Sequence, residues 1–383
     1  MATAPSFIVL TQLPLVFWLL VAVCFGGSVL LWWRIVGRQR IARLRGLRRR
    51  IALCGPAESP AEQVTLDGLR AAPRRARQRL VKSPGGRASL YRVPWLLFVG
   101  DAAADVPRLL DAASVSARGA DTFRPFWQWH ALPSMVAIGI DPQVLQPASA
   151  AQSRRAWCRA LLALVQERPR LPLNGIVVCV GASNLLHRTF EKAGAPDTPS
   201  TSVPSTAMQL RRLIDEAADH LHLRLPVYLV ITGLEKLTGY DTLRSALSKE
   251  VLAQLIGYRW SGAAGAGAAA SARADDRATE AFGSITARLD ALRMALLRQS
   301  HAPADRLAIH TFVEQVREME PALRQVANTL FGRVKDQRRP QRWRGICLTG
   351  STPSGADAAG AAFTSDLFER FLPSDQPLAR FDR

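Results

Sequence analysis

Hydrophobic positions along the chain fall into four patterns. The first is an unbroken apolar run, LPLVFWLLVAVCFGGSVLLWW, from Leu13 to Trp33, with no charged residue before Arg34. A bilayer core needs roughly 20 apolar residues to cross, and this run is long enough. The second pattern is a set of short continuous runs rich in Val and Ile: PWLLFVG (94–100), MVAIGI (135–140), GIVVCV (175–180) and PVYLVIT (226–232). Strands buried on both faces of a parallel sheet read this way. The third is helical periodicity, in RRAWCRALLALVQERPR (154–170) and TAMQLRRLIDEAADHLHL (206–223). In the second of these, Leu210, Leu213, Ile214, Ala217, Ala218 and Leu221 make one apolar stripe. TARLDALRMALLRQ (286–299) and VEQVREMEPALRQVANTLFGRV (313–334) keep the same period. A strand-like GICLTG (345–350) and a helical SDLFERFL (365–372) close the series. The fourth pattern is interruption: GPAESPAEQ, KSPGG, SGAAGAGAAASARADD (261–276) and a Gly/Ala/Ser loop at 350–362.

Strand alternating with helix predicts an α/β fold with a parallel sheet and right-handed crossovers. The expected organisation has five parts. Residues 1–33 are an extracytoplasmic N-terminus and one transmembrane helix, and 34–90 a basic juxtamembrane stem or linker. Residues 91–260 are the α/β domain, 261–276 a low-complexity linker or loop, and 277–383 an appended α-helical subdomain with a return strand.

Charge sharpens this picture. The net charge is +19, and between Arg34 and Arg92 sixteen Lys or Arg face Glu58, Glu62 and Asp67, a balance of +13. Basic residues directly after a span mark the cytoplasmic side, which places the N-terminus in the periplasm and the main body in the cytoplasm. A basic stem beside a membrane suits anionic lipid headgroups. Nucleic-acid binding would instead interleave basic and aromatic residues on a folded module, so no nucleic-acid partner is expected, and a basic nucleic-acid-binding protein is the lesser alternative.

Metal and redox chemistry are poorly represented. The five cysteines (Cys24, Cys54, Cys158, Cys179 and Cys347) form no C-x-x-C pair, and none has a histidine at zinc spacing. Scattered thiols point to a reducing compartment. His220 and His222 are two apart on a helix and face different ways. Ser134 near His130 lacks the G-x-S-x-G elbow of a hydrolase. The acidic residues at 215–219 read as a solvated helix face. FRPFWQWH (123–130) is either an aromatic contact surface or core flanking a strand, and the core reading of Phe126, Trp127 and Trp129 is preferred.

The stretch WLLFVGDAAADVPRLL (95–110) has the strand–turn–helix outline of a phosphate loop, G-x-x-x-x-G-K-[ST]. Counted from Gly100, Asp105 stands at the second glycine, Val106 at the lysine and Pro107 at the hydroxyl residue. Val106 carries no charge to neutralise a phosphate. Pro107 lacks both the hydroxyl and a backbone N–H. Asp101 and Asp105 add negative charge where a polyphosphate would sit.

LYRVPWLLFVG, RPRLPLNGIVVCVGASNLL, LRLPVYLVITGLEKLTGYDTL and RWRGICLTGSTPSG…FTSDLFERFLP occur in that order. Together they resemble the cytoplasmic region of the TssM (IcmF-like) family of type VI secretion inner-membrane proteins, from about Tyr91 onward. The resemblance implies a P-loop small-GTPase-like domain, a helical extension and a cytoplasmic face that docks other membrane-complex or baseplate proteins of the secretion system. It also implies an anchor in the inner membrane of a Gram-negative bacterium. The family carries a transmembrane hairpin and a large periplasmic portion, whereas this chain offers one apolar run, so a short, single-anchor version is expected.

The resemblance also marks where a nucleotide would be read. Gly139 stands in the place of a magnesium-steering aspartate, with Asp141 two residues on. In TGLE, Thr232 opens the base-reading stretch, Gly233 replaces its lysine, Glu235 keeps a carboxylate on a longer arm, and Lys236 lies out of register. With no residue placed to organise an attacking water, the sequence predicts an inactive GTPase-like scaffold or regulator with no cofactor, no metal and no catalytic residue. The positions Gly100, Asp105, Val106, Pro107, Gly139, Thr232, Gly233 and Glu235 are then vestigial. An NTPase with an unorthodox phosphate loop is the enzymatic alternative.

Overall fold

The computed structural model describes residues 15–56, 60–82, 86–113, 126–142, 150–191, 203–260, 273–299, 302–332, 342–351 and 362–381. The small-residue stretch at 261–272 lies outside them, as do most of the loop at 350–362 and Phe123, Arg124 and Pro125 of the aromatic cluster.

Seven strands form one sheet: β1 (Trp95–Gly100), β2 (Trp127–Ala131), β3 (Val136–Ile140), β4 (Gly175–Gly181), β6 (Pro226–Thr232), β7 (Ile256–Arg259) and β8 (Arg342–Leu348). A separate short pair joins β5 (Leu223–Arg224) to β9 (Arg380–Phe381). The order across the large sheet is β2-β3-β1-β4-β6-β8-β7. The five inner strands run parallel, and the two edges, β2 and β7, run antiparallel to their neighbours. The apolar runs of the sequence are the inner strands. Each is buried on both faces, which is why each reads as a continuous run rather than an alternation.

Successive residues divide between two cores, as the period of two requires. Trp95, Leu97, Val99, Ile176, Val178, Val227, Leu229 and Ile231 face one side. Leu96, Phe98, Val177, Cys179, Tyr228 and Val230 face the other. The first side is covered by α6 (Ala150–Glu167), α8 (Val203–Leu221) and the helices after β7: α9 (Ala274–Leu297), α10 (Pro303–Glu318) and α11 (Glu320–Phe331). The stripe expected on α8 is the buried one, through Leu210, Ile214, Ala217 and Leu221. The second side is covered by α5 (Val106–Ala113) and by a π-helical turn, Leu367–Phe371, whose Phe368 stacks on Phe98.

The structure differs from the sequence pattern at two helices. The single helix expected over 313–334 is broken at Met319, where Pro321 opens a new first turn. The helix expected from 286 begins at Ala274.

Residues before β1 form four helices: α1 (Leu15–Leu53), α2 (Pro60–Gly68), α3 (Ala71–Lys82) and α4 (Gly86–Arg92). Leu47, Leu66, Leu69 and Leu90 are buried in the same core as the first face of the sheet. Arg43 is buried and donates to the Pro169 carbonyl at 3.3 Å, and burial pushes its pKa down to about 10. Arg155 on α6 grips Glu62 on α2 through two hydrogen bonds, 2.7 and 3.2 Å, both side chains buried. On the outer surface Arg45, Arg48, Arg49, Arg50, Arg74, Arg75, Arg77, Arg79 and Lys82 are exposed.

Among the described residues no helix is long and apolar enough to cross a membrane. The expected span, Leu13 to Trp33, falls partly outside them: the described side chains of its apolar part run from 17 to 31 and are all exposed.

The phrase PLNG earns its place at the foot of β1. The Asn174 Oδ1 accepts from the Trp95 amide at 2.9 Å and from Arg168 at 2.5 Å. Arg168 is fully buried, lies over the Trp95 and Tyr91 rings, and donates to the Leu90 and Val93 carbonyls at the end of α4. Burial pushes its pKa down to about 9. Gly175 follows because a Cβ there would lie 2.9 Å from a Leu96 methyl group.

Candidate functional site

In an open parallel sheet a ligand crevice forms where the chain order reverses, at the carboxyl ends of the strands. Here that point is β1: the chain goes from β1 to β2 and β3 on one side, then crosses to β4 on the other. Gly100, the loop 101–105, Gly181, Thr232 and the loop after β8 meet there.

The loop is built around Asp101. This residue is buried and caps a single 3-10 turn, Ala102–Ala104. Its Oδ1 accepts from the Ala104 amide at 2.7 Å and from the Gly181 amide at 3.2 Å. Its Oδ2 accepts from the Asn184 side-chain amide at 2.8 Å. Asp105 then takes a left-handed conformation at φ 43°, and α5 begins at Val106 with Pro107 in its first turn. Burial pushes the Asp101 carboxyl above the ordinary carboxylate range. Hydrogen bonds from Asn184, Ala104 and Gly181, with the Lys236 charge, pull the other way.

Two further bonds fasten the loop to β6 and the 3-10 turn that follows it, Leu234–Lys236. The Thr232 hydroxyl, buried, donates to the Ala104 carbonyl at 2.7 Å. The Lys236 ammonium donates to the Ala103 carbonyl at 3.1 Å. Gly233 is left-handed at φ 81°, and the Lys236 stem runs 3.7 Å from where a Cβ at 233 would be. Lys236, out of register by sequence, therefore reaches back over Gly233 onto the loop. Close packing explains the other glycines. A Cβ at Gly181 would meet the Ala103 backbone carbon at 2.6 Å, and one at Gly100 the Cys179 carbonyl oxygen at 2.8 Å.

At the far side of the cleft Glu235 is occupied as well. Its carboxylate accepts from the Ser351 amide at 2.9 Å and from the Ser351 hydroxyl at 2.5 Å. The interior left between these contacts, lined by Asp105, Arg108, Thr232, Gly233, Glu235 and Lys236 among others, is about 10 Å³. That is about one water, whereas ligand sites run to roughly 300–1,000 Å³.

The structure thus gathers Gly100, Asp105, Val106, Thr232, Gly233 and Glu235 around one cleft. Gly139 lies on β3 opposite Phe98, where a Cβ would press on Leu110 at 3.0 Å and reach Val106 at 3.5 Å. Asp141 follows the end of β3 and its amide donates to the Phe126 carbonyl at 3.0 Å. Asn184, Gly181 and Ser351 were not singled out by sequence. Asn184 and Gly181 act from β4 and the helix after it, α7 (Ala182–Glu191), about 80 positions away, and Ser351 acts from 116.

The cleft does not fit a magnesium-bound nucleotide. The amides of Ala104 and Gly181 are spent on a carboxylate of the chain itself, and no lysine follows the loop in α5. Among the described residues no group of three His, Cys, Asp or Glu side chains is placed to hold a metal ion. Of the other candidates, Ser134 donates to the Phe368 carbonyl at 2.6 Å, a packing contact. Trp127 and Trp129 lie on β2, edge-on to each other, and Trp129 is edge-on to Trp95. All five cysteines are free thiols.

Comparison with known proteins gives a consistent outline. The model of the family described as IcmF-related N-terminal domain matches residues 150–366. The type VI secretion system component TssM1 of Pseudomonas aeruginosa is 23% identical over 281 residues, covering 70% of this chain and 24% of that protein. The chain therefore spans about a quarter of the length of that relative. No solved structure matches.

Proposed function

The chain belongs to the family of IcmF-related N-terminal domains, and from that membership and the filled cleft we propose that it is a membrane-anchored, catalytically inactive GTPase-like scaffold or regulator of a type VI secretion system. The observation that carries the inactive half is the pairing at the two ends of the cleft. Asp101 takes the Ala104 amide of the loop, together with the Gly181 amide at the end of β4, and Ser351 takes the carboxylate that would read a base. Backbone amides are what such a loop offers an anion, so an internal carboxylate on them excludes one.

The anchor rests on the apolar run of α1, whose helix continues into the exposed arginines at 45 and 48–50. The run that would span the bilayer, Leu13 to Trp33, is read from the sequence and falls partly outside the described residues. The basic faces of α1 and α3 would then lie against anionic headgroups. Anchoring fixes the body's orientation and raises its local concentration for membrane-complex or baseplate partners. The relationship to TssM1 supports that class of partner.

The test is affinity capture of the tagged full chain, extracted from membranes of a bacterium that encodes it, followed by mass spectrometry. Enrichment of secretion membrane-complex or baseplate proteins is expected. Recovery of the chain from the soluble fraction, or capture of ribosomal and chromosomal material alone, overturns the proposal.

A further inference from the structure

The joint between α1 and the body holds two thiols that the cleft does not use. Cys54 follows the last residue of α1, and Cys158 lies on α6. Both line one cavity of about 200 Å³, together with Arg50, Glu216 and His220. Arg155, one turn before Cys158, donates to the Cys54 carbonyl at 3.4 Å, which holds the end of α1 against the turn that carries Cys158. Cys54 is partly exposed, Cys158 is buried, and both border the same cavity. We propose that Cys54 and Cys158 form a reversible, peroxide-driven disulfide that latches the end of α1 to the body.

The two sulfurs are placed for different steps. Cys54 is partly exposed and opens onto the cavity, where a small oxidant can reach it. Its thiolate attacks one oxygen of a hydroperoxide. The O–O bond breaks, the other oxygen leaves as hydroxide and takes up a proton, and Cys54 becomes a sulfenic acid. The Cys158 sulfur then attacks the Cys54 sulfur. The S–O bond breaks, and the departing hydroxide takes the Cys158 proton as water. Two thiols lose two electrons and one hydrogen peroxide becomes two waters. Burial, with smaller contributions from Cys54 and Glu216, pushes Cys158 up to about 12, so it stays protonated while Cys54 meets the peroxide and gives up its proton only as it attacks the Cys54 sulfur. Cys179 and Cys347 lie within the sheet core and serve as internal controls. Transient disulfides of this kind are the form in which redox sensing operates in reducing compartments.

The test uses the full chain in detergent. It is titrated with hydrogen peroxide, denatured in acid, alkylated and mapped by mass spectrometry without reduction. The expected result is loss of two of the five alkylatable thiols, a peptide pair joining positions 54 and 158, and recovery with dithiothreitol. Cys158→Ser should instead leave a sulfenic acid on Cys54 that dimedone captures, with no cross-link. If that variant does not fold, the wild-type map decides alone. The proposal is overturned if all five thiols stay alkylatable, or if Cys54 pairs with Cys24 or with a cysteine of a second chain.

Discussion

Replacing Asp101 probes the loop at its centre. Asp101→Ala removes the acceptor of the Ala104 amide (2.7 Å), the Gly181 amide (3.2 Å) and the Asn184 side chain (2.8 Å). The Ala104 amide keeps a longer contact, 3.2 Å, to the Asp101 carbonyl, and Asn184 is near enough to the surface to find water. The Gly181 amide is left buried without an acceptor. An orphaned buried donor costs about 1–3 kcal/mol, and weakening the turn adds to it. Part of the loss is offset, because the wild-type carboxyl itself resists burial. A net destabilisation of about 2–3 kcal/mol is expected. Asp101→Asn keeps the Oδ1 acceptor, and a turn of the Asn184 amide restores the third bond, so it should lie within about 1 kcal/mol of wild type. The two forms also diverge with pH. The folded Asp101 carboxyl lies above its unfolded value, so its contribution is fully present below the unfolded carboxylate range and is lost as pH rises through the folded value. The stability of the Asn variant relative to wild type should therefore improve with rising pH. Urea unfolding of the full chain in detergent, followed by tryptophan fluorescence across that range, reads both effects. Wild-type stability in Asp101→Ala, or equal damage in Asp101→Asn, refutes the role assigned to this carboxylate.

Two further outcomes follow from named contacts. Gly181→Ala puts a methyl group 2.6 Å from the Ala103 backbone, so the loop must shift; about 1–3 kcal/mol is lost, read by the same unfolding curve. Asp375 is held by Arg344, Tyr228 and Arg259. Burial raises its carboxyl, but these hydrogen bonds outweigh burial and leave it below the ordinary range. Its stabilisation is present above the unfolded carboxylate value and lost as pH falls through the folded one, and Asp375→Asn should flatten that acid limb.

The inner strands were legible because burial on both faces leaves no alternation: all four runs that open or follow the first loop are strands of the parallel sheet. The edges were harder to read. β2 is WQWHA, half-buried and aromatic, and this composition reads equally as a contact surface; β7 is only IGYR. The break at Met319 is masked by apolar periodicity that continues through both helices. The stem reads as a basic linker because its arginines are numerous, while its four buried leucines are scattered over 44 positions.

At the cleft, the missing lysine and the proline were visible in the loop itself. What fills the space was not. The sequence gives Asp101 and Asp105 the same sign and the same place, yet one is buried among amides and the other is exposed in a left-handed turn. That distinction depends on Gly181 and Asn184 arriving from another strand. Lys236 likewise gains its contact only because Gly233 bends the chain beneath it.

Calorimetric titration of the detergent-solubilised full chain with GTP and with ATP, each with magnesium, tests the central claim most directly. The account predicts no saturable heat at nucleotide concentrations up to the millimolar range. Micromolar, magnesium-dependent binding of either nucleotide would contradict it.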